Sequence, residues 1–516
     1  MKKESRAADI KKEFHFASSS IISQVFRGVL VGIIVGAVVG AFRYLIEEGF
    51  HLVQSFYIKG QQNFIWIILI VGIYLLILFL NARLARTEKN IKGSGIPQIE
   101  AELKGLMSQS WWSILWKKFT VGVLAISSGL MLGREGPSIQ LGAMSGKGFS
   151  KLLKLSPVEE RTLIASGAAA GLAAAFNAPI AGLLFIVEEV YHHFSRFFWV
   201  STLAASLVAN FVSQSIFGLT PVLDMPDNIP VMDLNQYWIY LLMGIFLGFA
   251  AYLYEKVILN IHLFYNAVSR VCKIPKDYYP IVAFLLILPI GYFFPQLLGG
   301  GNQLILSINN YSMSIGLLVT IFLLRFIWSM ISYGSGLPGG IFLPILALGS
   351  LLGGIVGIFC IQQGLIEESQ FPIFIILGMS GYFGAISKAP LTAIILVTEM
   401  VGDIRNLMPL ALVTLVAYII MDLMKGAPVY EAMLEQMLPD NIQDNGETTL
   451  IEIPVSEKIS GKQVHELELP RDVLITMNVH KGKTIMVNGG TRLYLGDTIY
   501  LVVKKSEIGK IKDLLL

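Results

Sequence analysis

The sequence predicts an all-α polytopic membrane protein of two inverted repeats with discontinuous helices, followed by a small cytoplasmic α+β domain. Three observations predict it. Of 516 residues, 54% are hydrophobic and only 15% charged, with a mean hydropathy of +0.66, whereas soluble domains are about one quarter charged. Short apolar segments cut by Gly, Pro or charge occur twice, in the same order. After Leu438 the composition turns polar, and strand-like runs replace the apolar ones.

Residues 1–20 form a basic cytoplasmic segment. Lys2, Lys3, Arg6, Lys11 and Lys12 all precede Phe14, which favours a cytoplasmic N-terminus. No small-residue cleavage site follows the first apolar run, so no cleavable signal peptide is expected. The membrane domain is expected over 21–438. Its runs "VFRGVLVGIIVGAVVGAFRYLI" (25–46) and "FIWIILIVGIYLLILFL" (64–80) compare with the roughly 20 residues of a spanning helix. Shorter, broken runs follow at 118–132, 139–144, 165–176 and 179–187, and the pattern returns at 341–361, 371–386 and 390–397. Broken segments in corresponding halves point to a transporter built from repeats with discontinuous helices.

The repeat is visible by eye. "ASGAAAGLAAAFNAPIAGLLFIVEEV" lies on "LGMSGYFGAISKAPLTAIILVTEMV" with Pro179 on Pro390, an offset of 211. "GREGPSIQLG" lies on "GIFLPILALG" with Pro137 on Pro344, an offset of 207, and Gly93 lies on Gly299, an offset of 206. The halves are placed at roughly 21–217 and 236–438. A polar linker, 439–448, leads to a domain at 449–516. There "TLIEIPV", "VLITMNV", "KTIMV" and "TIYLVV" read as strands separated by the turns "VNGG" and "LGD". "GKQVHELEL" and "SEIGKIKDLLL" read as short helices. About 70 residues is small for an independent core, so the domain is expected to lean on a copy of itself or on the membrane domain. A soluble domain after the last span puts both termini in the cytoplasm.

The net charge of +3 carries no nucleic-acid signal. Cys272 and Cys360 lie far apart in or beside apolar stretches, which suggests neither a disulfide framework nor a thiol metal site. No metal or cofactor is expected.

The chemistry concentrates in glycine loops. Pro137 and Pro344 each stand just before an apolar helix, where the first turn has no use for an N–H. Gly133, Gly136, Gly339 and Gly340 let the backbone bend and bare its amides. A helix N-terminus carries about half a positive charge and several free donors, so two such ends meeting near the midplane would hold an anion without a lysine. Taken singly, each Gly-Pro merely ends one helix and starts the next; the repeated pair favours the anion site.

"GSGIP" (93–97), "GREGP" (133–137), "GGIFLP" (339–344) and Tyr430 in "GAPVYEAML" resemble, in order, the signature loops of the CLC chloride channel and transporter family. The resemblance runs from about Phe26 to Leu438. It implies a homodimer in the lipid bilayer with one anion pathway per subunit. Ser94, flanked by Gly93, Gly95 and Pro97, resembles the serine whose hydroxyl helps coordinate the central anion, and Tyr430 the tyrosine that does so from the inner side. The backbone amides of Ile341 and Phe342 would complete that site. Glu135 resembles the external gating glutamate. An ionised carboxylate can take the amide-lined position of chloride, and a protonated one has no reason to stay there. Arg134 reads as a counter-charge for Glu135 with a structural or electrostatic role. From spacing alone, Ser94 reads as a helix N-cap and Tyr430 as an interfacial anchor; only the resemblance lifts them.

The repeat also separates carboxylates. Glu188 pairs with Glu399, but Glu189 pairs with Met400, Glu135 with Phe342 and Ser94 with Gly300. Shared features are expected to be architectural, so Glu188 and Glu399 are read as closing helix ends or pairing with basic loops. Glu189 resembles the internal proton glutamate of the family's exchangers, where channels carry a neutral residue. An ionisable residue at that depth is a functional candidate, and Glu135 with Glu189 implies antiport of chloride and protons. The serine of "GSGIP" resembles the chloride-preferring members; a proline there goes with plant nitrate exchangers, and the fluoride-exporting branch departs from this loop.

"GKQVHELELPRDVLI…GDTIYLVV" resembles the TrkA-C (RCK-C) regulatory domain, which implies dimerisation and a small-molecule or nucleotide ligand. His465 and His480 read as surface or packing residues. Three rivals remain: a passive chloride channel, an intramembrane enzyme using Glu135 and Glu189 as an acid–base pair, and a potassium transporter. Glu189 argues against the first. His51, His192, His193 and His262 show no metal spacing for the second. The third lacks a "TVGYG"-type filter, and a portable domain does not assign the cargo.

Overall fold

The computed structural model describes residues 2–515 except 192–195, 224, 226–228, 231, 309–312, 439–447, 468, 471–472, 481–482, 505–510 and 512–513. The chain divides into two compact units, Met1–Leu434 and Glu435–Leu516.

The first unit is helical. Its first half contains α1 (Lys2–Gly60), α2 (Ile65–Thr87), α3 (Ile96–Leu103), α4 (Trp111–Ser127), α5 (Glu135–Leu152), α6 (Pro157–Phe176), α7 (Pro179–Phe185) and α8 (Arg196–Phe217). The second contains α9 (Tyr237–Leu259), α10 (Ile261–Cys272), α11 (Pro280–Phe293), α12 (Asn302–Ile308), α13 (Ile315–Gly334), α14 (Phe342–Gln362), α15 (Phe371–Ser387), α16 (Pro390–Val401) and α17 (Leu407–Leu423), and α18 (Val429–Met437) follows. Among the described residues, eight helical stretches are long and apolar enough to cross a membrane.

Packing repeats between the halves. α5 lies on α6 as α14 lies on α15, α1 on α8 as α9 on α17, and α6 on α8 as α15 on α17. The punctuation repeats too. α6 ends at Asn177 and α15 at Lys388, both left-handed at φ 55° and 56°; α7 and α16 then restart on Pro179 and Pro390. α6 itself begins with a capping box, in which Ser156 and Glu159 each serve the other's backbone N–H. α5 and α6 can approach only because Gly142 faces the carbonyl of Gly167, and α14 and α15 because Gly349 faces that of Gly378.

Two expected runs come out differently. The 25–46 run lies inside a longer apolar helical stretch, Ile21–Gly60. The helix continues past Ile46 because Glu47 is neutralised by Arg43 and Arg134. The 118–132 run is not continuous: α4 stops at Ser127, and Gly129 at φ 92° turns the chain away. That turn delivers Gly133 to Gly340, and the two glycines exchange amide and carbonyl at 2.7 Å in both directions. The repeated Gly-Pro loops are thus joined to each other by backbone.

The second unit holds a four-stranded sheet, β1 (Thr448–Pro454), β2 (Leu474–His480), β3 (Lys483–Met486) and β4 (Thr498–Lys504), in the order β1-β4-β2-β3 with every pair antiparallel. Ile453, Ile475, Ile499, Leu501 and Val503 fill its core. The helix expected at "GKQVHELEL" is only a 3-10 turn, Val464–Leu467, and "SEIGKIKDLLL" falls largely outside the described residues, as does most of the 439–448 linker. The "GD" turn does more than turn. Buried Asp497 accepts from the amide of Tyr494 and the side chain of Asn478, and its other oxygen pairs with His480 at 2.7 Å. Burial pushes the Asp497 carboxyl up, but these hydrogen bonds outweigh it and hold the group below the usual carboxylate range. The His480 ring thus bonds the Asp497 carboxylate, while His465 bonds the Gly489 carbonyl.

Candidate functional site

The loop before α3 bends at two left-handed glycines, Gly93 (φ 65°) and Gly95 (φ 99°). Gly95, not Ser94, is the N-cap of α3, and Pro97 occupies its first turn. Ser94 is buried and its hydroxyl has no hydrogen-bond partner among the described residues, so the helix-cap reading fails. A buried cation fixes the loop: Lys118 Nζ donates to the carbonyls of Ile91 (2.9 Å) and Gly93 (2.7 Å), and the amide of Gly339 donates to Gly93 (3.1 Å). The second half repeats this arrangement. Arg325 donates to the carbonyls of Leu297 and Gly299, both at 2.9 Å. Sequence reasoning passed over both cations; the signal was there, since Lys118 and Arg325 are 207 residues apart and both interrupt apolar runs.

α5 starts at Glu135 on Arg134, and α14 starts at Phe342 on Ile341, with Pro137 and Pro344 in their first turns. First-turn amides have no partner within their helix, so both starts offer free donors. Gly136 lies against the Ser94 hydroxyl, and a Cβ on Gly340 would stand 3.3 Å from the Gly136 nitrogen. Ser94, the start of α5 and the loop before α14 are therefore in one place. Glu135 is fully buried. Its carboxylate lies against its own amide and that of Leu343, without a fully aligned hydrogen bond to either. The carboxylate has folded back onto the N-terminus of α14.

Arg134 does not serve Glu135 as an ion-pair partner. Its Nη1 reaches Glu47 at 2.6 Å, where Arg43 Nε also arrives at 3.1 Å. Arg134 still acts electrostatically on Glu135, while its ion-pair partner lies on α1, 87 residues earlier. A cavity of about 180 Å³ opens beside this pair, lined in part by Glu47, His51, Arg134, Gly300 and Leu343.

Tyr430, in the first turn of α18, is fully buried, and its hydroxyl has no hydrogen-bond partner among the described residues. That excludes an interfacial anchor. Its ring meets Phe185 edge-on at 6.1 Å, Phe185 meets Phe342 at 5.9 Å, and Phe342 packs on Phe383 at 4.2 Å. The start of α14 and Tyr430 are thus linked through aromatic rings.

Glu189 sits in a π-helical turn, Ile186–Tyr191, directly after α7. It is buried with one oxygen unpartnered, and Glu100, Glu188, Glu431 and Lys104 act on it electrostatically. π-turns inside helices are frequent at functional positions. Its neighbour is committed elsewhere. Glu188 accepts from the amides of Leu391 and Thr392 at the start of α16, and Glu399 accepts from those of Ile180 and Ala181 at the start of α7. The two repeat-related carboxylates cap each other's helices, the helix-closing role expected of them.

Residues 73–422 match the voltage gated chloride channel family, and residues 449–516 match the TrkA-C domain. The H(+)/Cl(−) exchange transporter ClcA of Vibrio campbellii is 36% identical over 359 residues, which are 68% of this chain and 75% of that one. ClcA of Citrobacter koseri is 35% identical over 372 residues, 67% and 74% of the two chains. Among solved structures, a slow cyanobacterial Cl−/H+ antiporter is similar at a TM-score of 0.74 and 27% identity, over 82% of this chain and 98% of that one. A CLC-type fluoride/proton antiporter shares the fold at a TM-score of 0.65 and 20% identity, over 80% and 97%. With its family match covering most of the membrane unit and these relatives alongside, the chain belongs to the voltage gated chloride channel family and carries a C-terminal TrkA-C domain.

Proposed function

We propose that the protein is a secondary active transporter, not an enzyme, that exchanges chloride for protons across the cell membrane. One observation carries this reading: two buried hydroxyls, Ser94 and Tyr430, have no hydrogen-bond partner among the described residues, and a buried carboxylate, Glu135, lies on the helix N-terminus beside them. An amide-lined helix start with idle hydroxyls suits a monovalent anion held weakly enough to leave. In this reading Ser94, Tyr430 and the amides of Ile341 and Phe342 bind chloride. Gly93, Gly95, Pro97, Gly133, Gly136, Pro137, Gly339, Gly340 and Pro344 shape the loops, and Arg134 with Glu47 braces the outer one.

Glu135 gates. Ionised, it competes with chloride for the start of α14; protonated, it leaves and carries a proton. Glu189 supplies the second proton site, which is the feature that favours exchange over a passive channel. The likeness to H(+)/Cl(−) exchangers supports the cargo. The working form is a homodimer with one pathway in each subunit, and both termini face the cytoplasm. The TrkA-C domain dimerises there and takes a small-molecule or nucleotide ligand.

The test is reconstitution in liposomes with a chloride gradient and no initial pH gradient. Chloride running down its gradient drives protons uphill in the wild type. In Glu135→Gln and Glu189→Gln, proton movement falls to the level of protein-free liposomes while chloride still crosses. Chloride flux without proton movement in the wild type would make this a channel.

A further inference from the structure

Glu188, the neighbour of Glu189, has both oxygens committed to amides of α16. The other charges acting on Glu189 are Glu100 of α3, Lys104 at the C-cap of α3 and Glu431 of α18, with the Tyr430 hydroxyl nearby. These three form a chain. Lys104 Nζ stands 2.9 Å from Glu100 and 3.5 Å from Glu431, and side-chain exposure rises from 0% at Glu100 through 20% at Lys104 to 35% at Glu431. Glu100 falls opposite Leu306 and Lys104 opposite Asn310 in the second half, so the chain breaks the repeat, as Ser94, Glu135 and Glu189 do.

We propose that Glu100, Lys104 and Glu431 form the proton-loading station of Glu189, a reading that rests on the proton-exchange function above. Among the described residues, Glu100 and Glu431 both pair with the Lys104 ammonium, and Glu189 lies within electrostatic reach of all three; like charges this close do not all ionise together, so the group shares a proton. A proton taken from water by Glu431 passes through the shared group. It leaves a carboxyl oxygen of Glu100 and ends on the unpartnered oxygen of Glu189, and Glu100 regains its ion pair with Lys104. Lys104 is the positioning residue: its ammonium bridges the two carboxylates, giving up a proton to Glu100 only as it takes one from Glu431, and it sets how tightly the group keeps its proton.

The experiment uses full-length protein in liposomes and records chloride and proton flux separately, varying pH on each side in turn. In Glu100→Gln, chloride flux stays within about twofold, while chloride-driven proton flux falls about fivefold or more, as expected when one relay group is lost. Removing a negative charge and removing the Lys104 cation act oppositely on a shared proton. The pH of half-maximal proton flux therefore moves down in Glu100→Gln and up in Lys104→Met, each by about one unit, and Lys104→Arg restores the wild-type profile. Should Glu100→Gln fail to fold, the more exposed Glu431→Gln and the two lysine variants carry the same comparison. Unchanged proton flux with both profiles in place, or profiles that move in the same direction, would reduce the cluster to a structural brace. Absence of proton movement in the wild type would instead overturn the exchange reading, and this proposal with it.

Discussion

Lys118 and Arg325 occupy the same place in the two halves, yet only Lys118 stands behind a loop with a proposed chloride ligand. Each is almost completely buried and spends its charge on two backbone carbonyls. Hydrogen bonds from charged groups contribute about 1.5–3 kcal/mol each, and stranding their acceptors costs more. Lys118→Met and Arg325→Met should therefore lower the melting temperature of the detergent-purified protein to a similar degree. They should part company on chloride. The Lys118 loop carries Ser94, and the Arg325 loop carries Gly300, so only Lys118→Met should weaken chloride binding measured by calorimetry. Equal losses of chloride affinity would mean that neither loop is special. The same residues show what the sequence could reveal. Ser94, Glu135 and Glu189 stand out because each breaks a repeat that is otherwise kept. Arg134's partner was hidden, because nothing local marks Glu47 on α1 as its ion-pair mate. Glu100 and Lys104 were hidden too, since on a helix an i,i+4 pair reads as ordinary surface charge.

Helix α5 can lie against α6, and α14 against α15, only where a side chain is missing. A Cβ at Gly349 would stand 2.5 Å from the Gly378 carbonyl oxygen, and one at Gly142 would collide with that of Gly167. The obstacle in each case is backbone, which cannot swing aside as a side chain does, and overpacking of this kind costs about 1–3 kcal/mol or more. Gly142→Ala and Gly349→Ala should both lower thermal stability and displace the Glu135 and Phe342 starts of the same helices. Gly72 on α2 is the control, since a Cβ there meets nothing within 4 Å. Gly72→Ala should be neutral or stabilising by about 0.5–1 kcal/mol through helix propensity. Melting curves of the three variants decide the matter, and a Gly142→Ala protein as stable as Gly72→Ala would refute the close-packing account. At this scale the sequence was readable wherever Pro or Gly punctuates, as at Pro179 and Pro390. It misread 118–132, because hydrophobicity runs on through Gly129 while the backbone does not. The π-turn at Glu189 leaves no mark in side-chain periodicity at all.

Every residue given a role in transport lies in the unit Met1–Leu434, whereas the TrkA-C match begins at residue 449. The two units were separable in the sequence because composition changes between them. The four strands were legible from their β-branched runs and turns, but the order β1-β4-β2-β3 was not, since pairing of distant strands is set by packing and not by local pattern. The division has a functional consequence. α18 ends at Met437 and carries both Tyr430 and Glu431, so a chain cut after residue 438 keeps the complete candidate site. That shortened chain should exchange chloride for protons at the same ratio as the full chain, because in the proposed mechanism the ratio is set where the two species meet Glu135 and Glu189. Its rate is free to differ, and a change in rate at constant ratio is what a regulatory domain predicts. Side-by-side chloride and proton fluxes in liposomes measure both quantities. A shift in the ratio itself would mean that the C-terminal unit takes part in the coupling, and α18 would be the element through which it acts.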